Sequence, residues 1–213
     1  MRKRLENSTY SLTVEGECEK LYFEHLKKLI NTNENRKRNC VFKPEISKRK
    51  PLSFAKANAH ITTPFFHIQD IEDYNDERLK LKFNNLLKEL KAAKKIVNYD
   101  LGYSNYSFEL WICLHKLDMF SFKHNRNDYY IDINKGFNTN YKSCNEFKEK
   151  NEFLKLLSNI TLEDVSSAIT RSIKIKERKE NKKKISLYNF EFYKDNPDLS
   201  IHEIVKTILN DCL

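Results

Sequence analysis

Short apolar segments alternate with amphipathic helical segments through the first half of this chain. Residues 10–14 and 64–69 are β-rich, apolar runs that predict strands, and residues 96–101 form a third candidate. Apolar residues recur at helical spacing from Glu17 onward and again from Leu79 to Ala93. This strand–helix–strand–helix–strand order predicts an α/β fold with a mostly parallel sheet flanked by helices.

The second half of the chain is predicted to be mainly helical. An almost wholly apolar helix is expected over residues 108–115, whereas residues 118–150 carry no pattern that assigns them. Capping-box-like starts at Thr161 and Ser200 predict two further helices. We therefore expect a catalytic core over residues 1–120 and a mainly helical C-terminal extension, residues 121–213, packed on that core.

The charge balance favours a polyanionic partner. The sequence has 39 Lys and Arg against 30 Asp and Glu, a net charge of +9, and such an excess favours phosphate binding. A Lys- and Asn-rich proteome with basic surfaces would give the same balance. The basic clusters are either a nucleic-acid surface or solvated faces, and the candidate nucleic-acid-binding residues are Arg36, Arg38, Arg171, Lys174, Arg178, Lys182 and Lys183.

Several classes of protein are disfavoured by what the sequence contains. Five widely spaced cysteines without a C-x-x-C pair predict neither a disulfide framework nor a zinc site, and they suit a reducing cytoplasm. The basic N-terminus leads into no apolar stretch, and no segment predicts a membrane span. Only three glycines are present and no Walker-type loop, so any ATP dependence is expected to come from a partner.

Acidic residues follow two of the predicted strands. Glu15 ends the first, and Asp70, Glu72 and Asp73 end the second, where parallel strands present ligand-binding crevices. Residues i and i+2 of an extended chain point the same way, so Asp70 and Glu72 can face one point while Asp73 turns aside or supports them. Clustered carboxylates favour a hard cation such as Mg²⁺ or Mn²⁺, so the candidate metal ligands are Glu15, Asp70, Glu72 and Asp73. Acids also favour turns and first helical turns for structural reasons alone.

Three motifs resemble the RloB/AbiLii family. They are residues 14–23 (VEGECEKLYF), residues 66–73 (FHIQDIED) and residues 104–115 (SNYSFELWICLH). The first is similar to the family's E-G-E-x-E-x-x-Y-F opening, the second to an apolar strand followed by D-x-D-D, and the third to S-N-P-x-F-E-L-W-x-x-L-H. The third is the most specific of the three, and the motifs occur in the family's order. Tyr106 replaces the usual proline, and Glu72 replaces an aspartate.

The resemblance implies a Toprim-like fold and a place in bacterial abortive-infection and restriction-associated loci, often beside an ATPase. By this resemblance Glu15 is the catalytic acid or base, Asp70 and Glu72 bind the metal, and Glu109 helps the site. Glu19 either supports the site or only favours the helix terminus. His115 does not share a helix face with Glu109 and is more readily a satisfied core histidine than a supporting residue.

The sequence is compatible with two functions. The first is an Mg²⁺-dependent Toprim-type endonuclease that cleaves RNA, such as tRNA, or DNA in anti-phage defence. The second is a non-catalytic, nucleic-acid-binding or docking subunit of an ATPase-partnered complex. The replacement of aspartate by Glu72 permits the second, and homo-oligomerisation is left open for both.

Overall fold

The computed structural model describes residues 5–213, and the basic residues 1–4 lie outside this range. The strands are β1 (Asn7–Thr9), β2 (Ser11–Val14), β3 (Asn39–Val41), β4 (Pro44–Ile46), β5 (Phe65–Asp70), β6 (Tyr99–Asn105), β7 (Ile185–Leu187), β8 (Phe190–Phe192) and β9 (Asp198–Leu199). The helices are α1 (Glu17–Thr32), α2 (Pro51–Ala57), α3 (Glu77–Ala93), α4 (Glu109–Leu114), α5 (Tyr129–Phe137), α6 (Cys144–Lys148), α7 (Lys150–Leu157), α8 (Leu162–Glu177) and α9 (Ile201–Cys212).

A five-stranded sheet in the order β4-β2-β5-β6-β9 forms the centre of the fold. The pairs β2–β4, β2–β5 and β5–β6 are parallel, and β9 pairs antiparallel with the end of β6. Two smaller pairs lie outside this sheet, a parallel one of β1 with β3 and a hairpin of β7 with β8. The predicted α/β fold with a mostly parallel, helix-flanked sheet is confirmed.

Both faces of the sheet are covered, which explains the continuous apolar run in β5. Phe66 and Ile68 pack into the larger core, which also includes buried residues of α1, α4, α8 and α9. Phe65 points to the opposite face and packs in a smaller core with Leu90 of α3 and Ala55 of α2. A strand buried on both faces needs apolar side chains at successive positions rather than at alternate ones.

Strand β6 runs further than the sequence predicts. The expected strand ended at residue 101, before Gly102, whereas β6 continues through the glycine to Asn105. Gly102 is required by packing and not by a turn, because a Cβ there would lie 2.8 Å from Ile204 Cδ1 and 2.9 Å from Ile68 Cδ1. The glycine thus lets α9 approach the sheet closely.

The two predicted capping boxes have different outcomes. At the start of α8, Thr161 and Asp164 form the reciprocal hydrogen bonds of a capping box. At the start of α9 that prediction is wrong, because the Ser200 hydroxyl makes no cap hydrogen bond. It accepts from the N–H of Tyr103 and donates to the carbonyl of Leu101, so it attaches the start of α9 to β6.

The C-terminal half contributes directly to the sheet as well as covering it. Strand β9 extends the sheet, and α9 packs against β6 beside it. The unassigned stretch 118–150 folds into a short 3₁₀ turn (Arg126–Asp128) followed by α5 and α6. Across residues 5–213, no helix combines the length and apolar character needed to cross a bilayer.

Candidate functional site

Glu15 and Asp70 meet at the carboxyl ends of two neighbouring parallel strands. Val14 of β2 lies opposite Ile68 of β5, so the residues that follow them emerge at the same edge of the sheet. The backbone N–H of Asp70 donates to Glu15 Oε2 at 3.0 Å. The pairing register of the strands therefore holds these two acids side by side.

Asp70 is surrounded by polar groups from several elements. Ser104 lies opposite it in the β5–β6 register, and the serine hydroxyl donates to Asp70 Oδ1 at 3.0 Å. Burial raises the pKa of Asp70 well above its usual range, and the nearby charges of Glu19, Glu15 and Glu109 raise it further, whereas Ser104 lowers it. Asp70 is thus an acid whose ionised form has few compensating charges.

Two buried glutamates complete an acidic cluster, which we define as Glu15, Glu19, Asp70 and Glu109. Glu19 lies in the first turn of α1 and is 7% exposed. Burial raises its pKa to about 7, with smaller contributions from Glu109 and Glu15. Glu109 begins α4, is also buried, and forms an ion pair with Lys148 of α6. A buried carboxylate needs such a partner.

Glu72 occupies a different position from the one that an extended chain would give it. Its φ is +59°, in the left-handed region, so the i, i+2 relationship to Asp70 does not hold. Its carboxylate lies 3.6 Å from Lys82 Nζ and 3.5 Å from Arg126 Nη1. Lys82 also contacts Glu15 Oε1 at 3.3 Å, so one ammonium group bridges Glu15 and Glu72.

Asp73 belongs to the turn that leads into α3. Its Oδ1 accepts hydrogen bonds from the backbone and side-chain nitrogens of Asn75 at 2.9 and 3.1 Å. This arrangement is an Asx turn, a local structural use of aspartate. Of the four acids predicted to bind metal, the structure places the Glu15 carboxylate against the backbone N–H of Asp70, Glu72 across Lys82, and Asp73 in this turn.

The carboxylate oxygens of this site are the type of ligand that a hard divalent cation prefers. Among residues 5–213, no three His, Cys, Asp or Glu side chains converge closely enough to enclose a metal ion. Magnesium is commonly held by one or two carboxylates, with waters and substrate phosphate oxygens completing its shell. The Glu15 carboxylate lies against the backbone of Asp70, and burial together with the charges of Glu19, Glu15 and Glu109 raises the pKa of the Asp70 carboxyl. A cation bound here would offset both the burial and the repulsion.

A basic cleft of about 750 Å³ opens over the strand ends. Four acids line it: Glu15, Asp70 and Glu72 near the strand ends, and Glu89 on α3. The basic residues that line it come from the segment before α2 and from α3, and they are Lys48, Arg49, Lys50, Lys82 and Lys88. Basic side chains beside acids at the strand ends match a ligand that carries phosphates and approaches a cation.

The seven predicted nucleic-acid-binding residues lie elsewhere, since none of them lines this cleft. Arg171 donates to the carbonyls of Leu114 and His115 at 2.7 and 2.9 Å, so it satisfies carbonyl groups at the end of α4. The guanidinium of Arg178 stacks on the Phe120 ring at 3.5 Å. Lys174, Lys182 and Lys183 are exposed, Arg36 bonds to Asn33 and Asn39, and Arg38 pairs with Glu6.

His115 is a core residue. Its Nε2 lies 3.1 Å from the Tyr22 hydroxyl and its Nδ1 lies 2.9 Å from the Trp111 carbonyl oxygen. Burial lowers its pKa to about 4, so the ring is neutral near physiological pH. This matches the structural interpretation of His115, since both ring nitrogens are satisfied within the core.

A second buried histidine was missed by the sequence analysis. His67 lies in the middle of β5 and lines the cleft although only 2% of it is exposed. Its Nδ1 is 2.8 Å from Thr13 Oγ1, whereas its Nε2 has no hydrogen-bond partner. The position of His67 within an apolar run predicts only a strand. The face of the sheet toward which its side chain points depends on the strand pairing, which the sequence does not reveal.

The acid-bearing segments of this chain are also those that resemble the RloB/AbiLii family. The model of the RloB-like protein family matches residues 10–208, which include β2, β5, β6 and most of α9. No curated protein and no solved structure matches the chain. Because the match covers nearly the whole chain and includes every residue of the acidic cluster, the chain belongs to the RloB-like family.

Proposed function

We propose that this chain is a divalent-metal-dependent nuclease that hydrolyses phosphodiester bonds in its basic cleft. The observation that carries the proposal is the contact between Glu15 and Asp70 at the floor of a cleft with basic walls. Glu15 and Asp70 would hold the cation, which would supply positive charge to the phosphoryl oxygens during cleavage. Glu72 would join them where Lys82 gives up its contact with that carboxylate.

The chain's own residues have separate roles in this proposal. Lys48, Arg49 and Lys50 bind phosphates along one wall and set the position of the strand to be cut. The Asp70 N–H fixes the Glu15 carboxylate, so that this acid can move a proton at the reacting phosphate. Glu19, with a pKa of about 7, holds a proton near neutral pH and limits repulsion within the acidic cluster.

The biological setting is proposed from the family resemblance. A separate ATPase partner and a role in anti-phage abortive infection are associated with that family, and they agree with a chain that has no Walker-type loop of its own. The nucleic acid is RNA, such as tRNA, or DNA, and the assay below includes both.

Cleavage of total cellular RNA and of plasmid DNA tests the proposal. With Mg²⁺ or Mn²⁺ present, Glu15→Gln and Asp70→Asn should each reduce cleavage at least about 100-fold, and EDTA should abolish it. Glu45→Gln is the matched control, because Glu45 is an exposed acid on the adjacent strand β4 and does not line the cleft. Circular dichroism should show that all three variants are folded. Undiminished cleavage by folded Glu15→Gln protein would contradict the proposal.

A second function is favoured by the contacts of Lys82. Because this lysine already bridges Glu15 and Glu72, the cleft could bind nucleic acid without any metal. The chain would then be a recognition subunit whose affinity falls steeply with salt. Calorimetric titration separates the two functions, since the recognition subunit takes up no divalent ion at millimolar concentration and keeps its affinity in the Glu15→Gln variant.

A further inference from the structure

The floor of the basic cleft contains a buried histidine with one unused ring nitrogen. His67 is 2% exposed and lines the cleft, and its Nε2 makes no hydrogen bond. An unpaired polar atom in such a place is unfavourable for the folded protein, and most buried polar atoms have a partner. Because His67 lines the cleft, its unpaired nitrogen points to a group that the cleft receives.

The hydrogen bonds on the other side of the ring are all satisfied when Nδ1 carries the proton. Thr13 Oγ1 lies 3.3 Å from the Phe66 carbonyl oxygen, 3.1 Å from the Tyr99 hydroxyl and 2.8 Å from His67 Nδ1. With the proton on Nδ1, the threonine hydroxyl donates to the carbonyl, and its two lone pairs accept from Tyr99 and from Nδ1–H. Every contact is then satisfied, and Nε2 is left as an unprotonated acceptor.

The surroundings of the ring keep it in that neutral form. Burial lowers the pKa of His67 to about 4, although a side-chain interaction with Gln69 and the charge of Glu15 act weakly in the opposite direction. A neutral acceptor cannot bind a phosphate oxygen, since that oxygen is itself an acceptor. The group that fits must bring a proton of its own, as a hydroxyl or an amino group does.

We propose that His67 determines specificity in the cleft, its Nε2 accepting a hydrogen bond from a sugar hydroxyl or a base amino group of the bound nucleic acid. This inference rests on the proposed function, because it takes a nucleic acid as the ligand of the cleft. The lysines and Arg49 of the wall read the phosphate backbone, which is common to all sequences, whereas His67 reads a group that differs between nucleic acids. If that group is the 2′-hydroxyl, His67 distinguishes RNA from DNA.

Binding measurements on His67→Phe protein test the proposal without relying on cleavage. The probes are a short single-stranded RNA, the DNA of the same sequence, and inorganic polyphosphate, which has no donor to offer. Affinities are measured by fluorescence polarisation, or by competition for polyphosphate, in calcium and again in EDTA. His202→Phe is the matched control, because His202 is also buried with an unpaired ring nitrogen but does not line the cleft.

The expected result is a loss of about 3- to 10-fold in nucleic-acid affinity for His67→Phe, with polyphosphate affinity unchanged. A loss for RNA alone identifies the sugar hydroxyl, and an equal loss for RNA and DNA identifies a base amino group. Unchanged affinity for both nucleic acids overturns the inference while leaving the nuclease proposal in place. An equal loss for polyphosphate also overturns it, since the substitution then acts through the structure of the cleft. Failure of the wild-type protein to bind either nucleic acid overturns both proposals.

Discussion

Glu19 makes the stability of this protein depend on pH in a direction that is unusual for a carboxylate. Most native carboxylates have lowered pKa values and stabilise the fold at neutral pH. Burial raises the pKa of Glu19 from its ordinary 4.5 to about 7, so its ionised form is disfavoured in the folded state. We predict that Glu19→Gln stabilises the protein at pH 8 and has little effect below pH 4.5.

The size of the effect follows from the pKa values. Between pH 4.5 and about 7 the folded state binds more protons than the unfolded state, so the free energy of unfolding falls as the pH rises through this window. A change from 4.5 to about 7 corresponds to about 3 kcal/mol at pH values above both. Because the side chain is almost fully buried, solvent screening takes away little of this.

Urea unfolding at pH 4.5, 6 and 8, monitored by the fluorescence of the single tryptophan, measures the prediction. Glu17→Gln is the control, since Glu17 lies in the same first turn of α1 with its side chain 44% exposed. The free energy of unfolding of Glu19→Gln should exceed that of the wild type by an amount that grows to about 3 kcal/mol with rising pH. The free energy of unfolding of Glu17→Gln should follow that of the wild type. A constant difference at all three pH values would refute the reasoning, because the acidic cluster would then carry no unbalanced charge.

Two further substitutions test basic residues with contrasting positions. Arg171→Ala should lower the free energy of unfolding by about 2–4 kcal/mol, because it removes two charged hydrogen bonds to the end of α4. Lys174→Ala on the same helix should leave the free energy of unfolding unchanged. Reduced nucleic-acid affinity of Arg171→Ala at unchanged stability would contradict this structural role. Lys82→Met should tighten Mn²⁺ binding up to about fivefold by calorimetry, since this ammonium competes for Glu15. Lys80→Met, whose lysine pairs with Glu77, is its control, and equal affinities for both variants would count against competition.

The sheet could be predicted from the sequence because its signals are local. Strand β5 is an apolar run of strand length, and α3 has clear helical spacing with Asp76 as its N-cap. The end of β6 could not be predicted, since Gly102 reads as a turn unless the approach of α9 is known. Residues 118–150 also depend on distant contacts, such as the ion pair that Lys148 makes with Glu109.

The site was only partly predictable, for a related reason. The proximity of Glu15 and Asp70 follows from strand order, because parallel strands end at one edge, although their catalytic role stays a prediction. Glu72 could not be placed, since the left-handed conformation of its backbone leaves no trace in the sequence. The cleft-lining cations were recognisable as basic, but whether Lys82 or Arg171 faces the acids depends on how the helices pack.

The acids and their counter-charges are attached to this protein in different ways. Glu15 and Asp70 are fixed by backbone pairing at strand ends, whereas Arg126 and Lys148 reach the carboxylates on long side chains from segments outside the sheet. Substitutions in those segments would alter the charge balance of the site while the framework of strands stayed intact. Related chains could therefore differ in how readily the same acids accept a cation, through changes far along the sequence from the acids themselves.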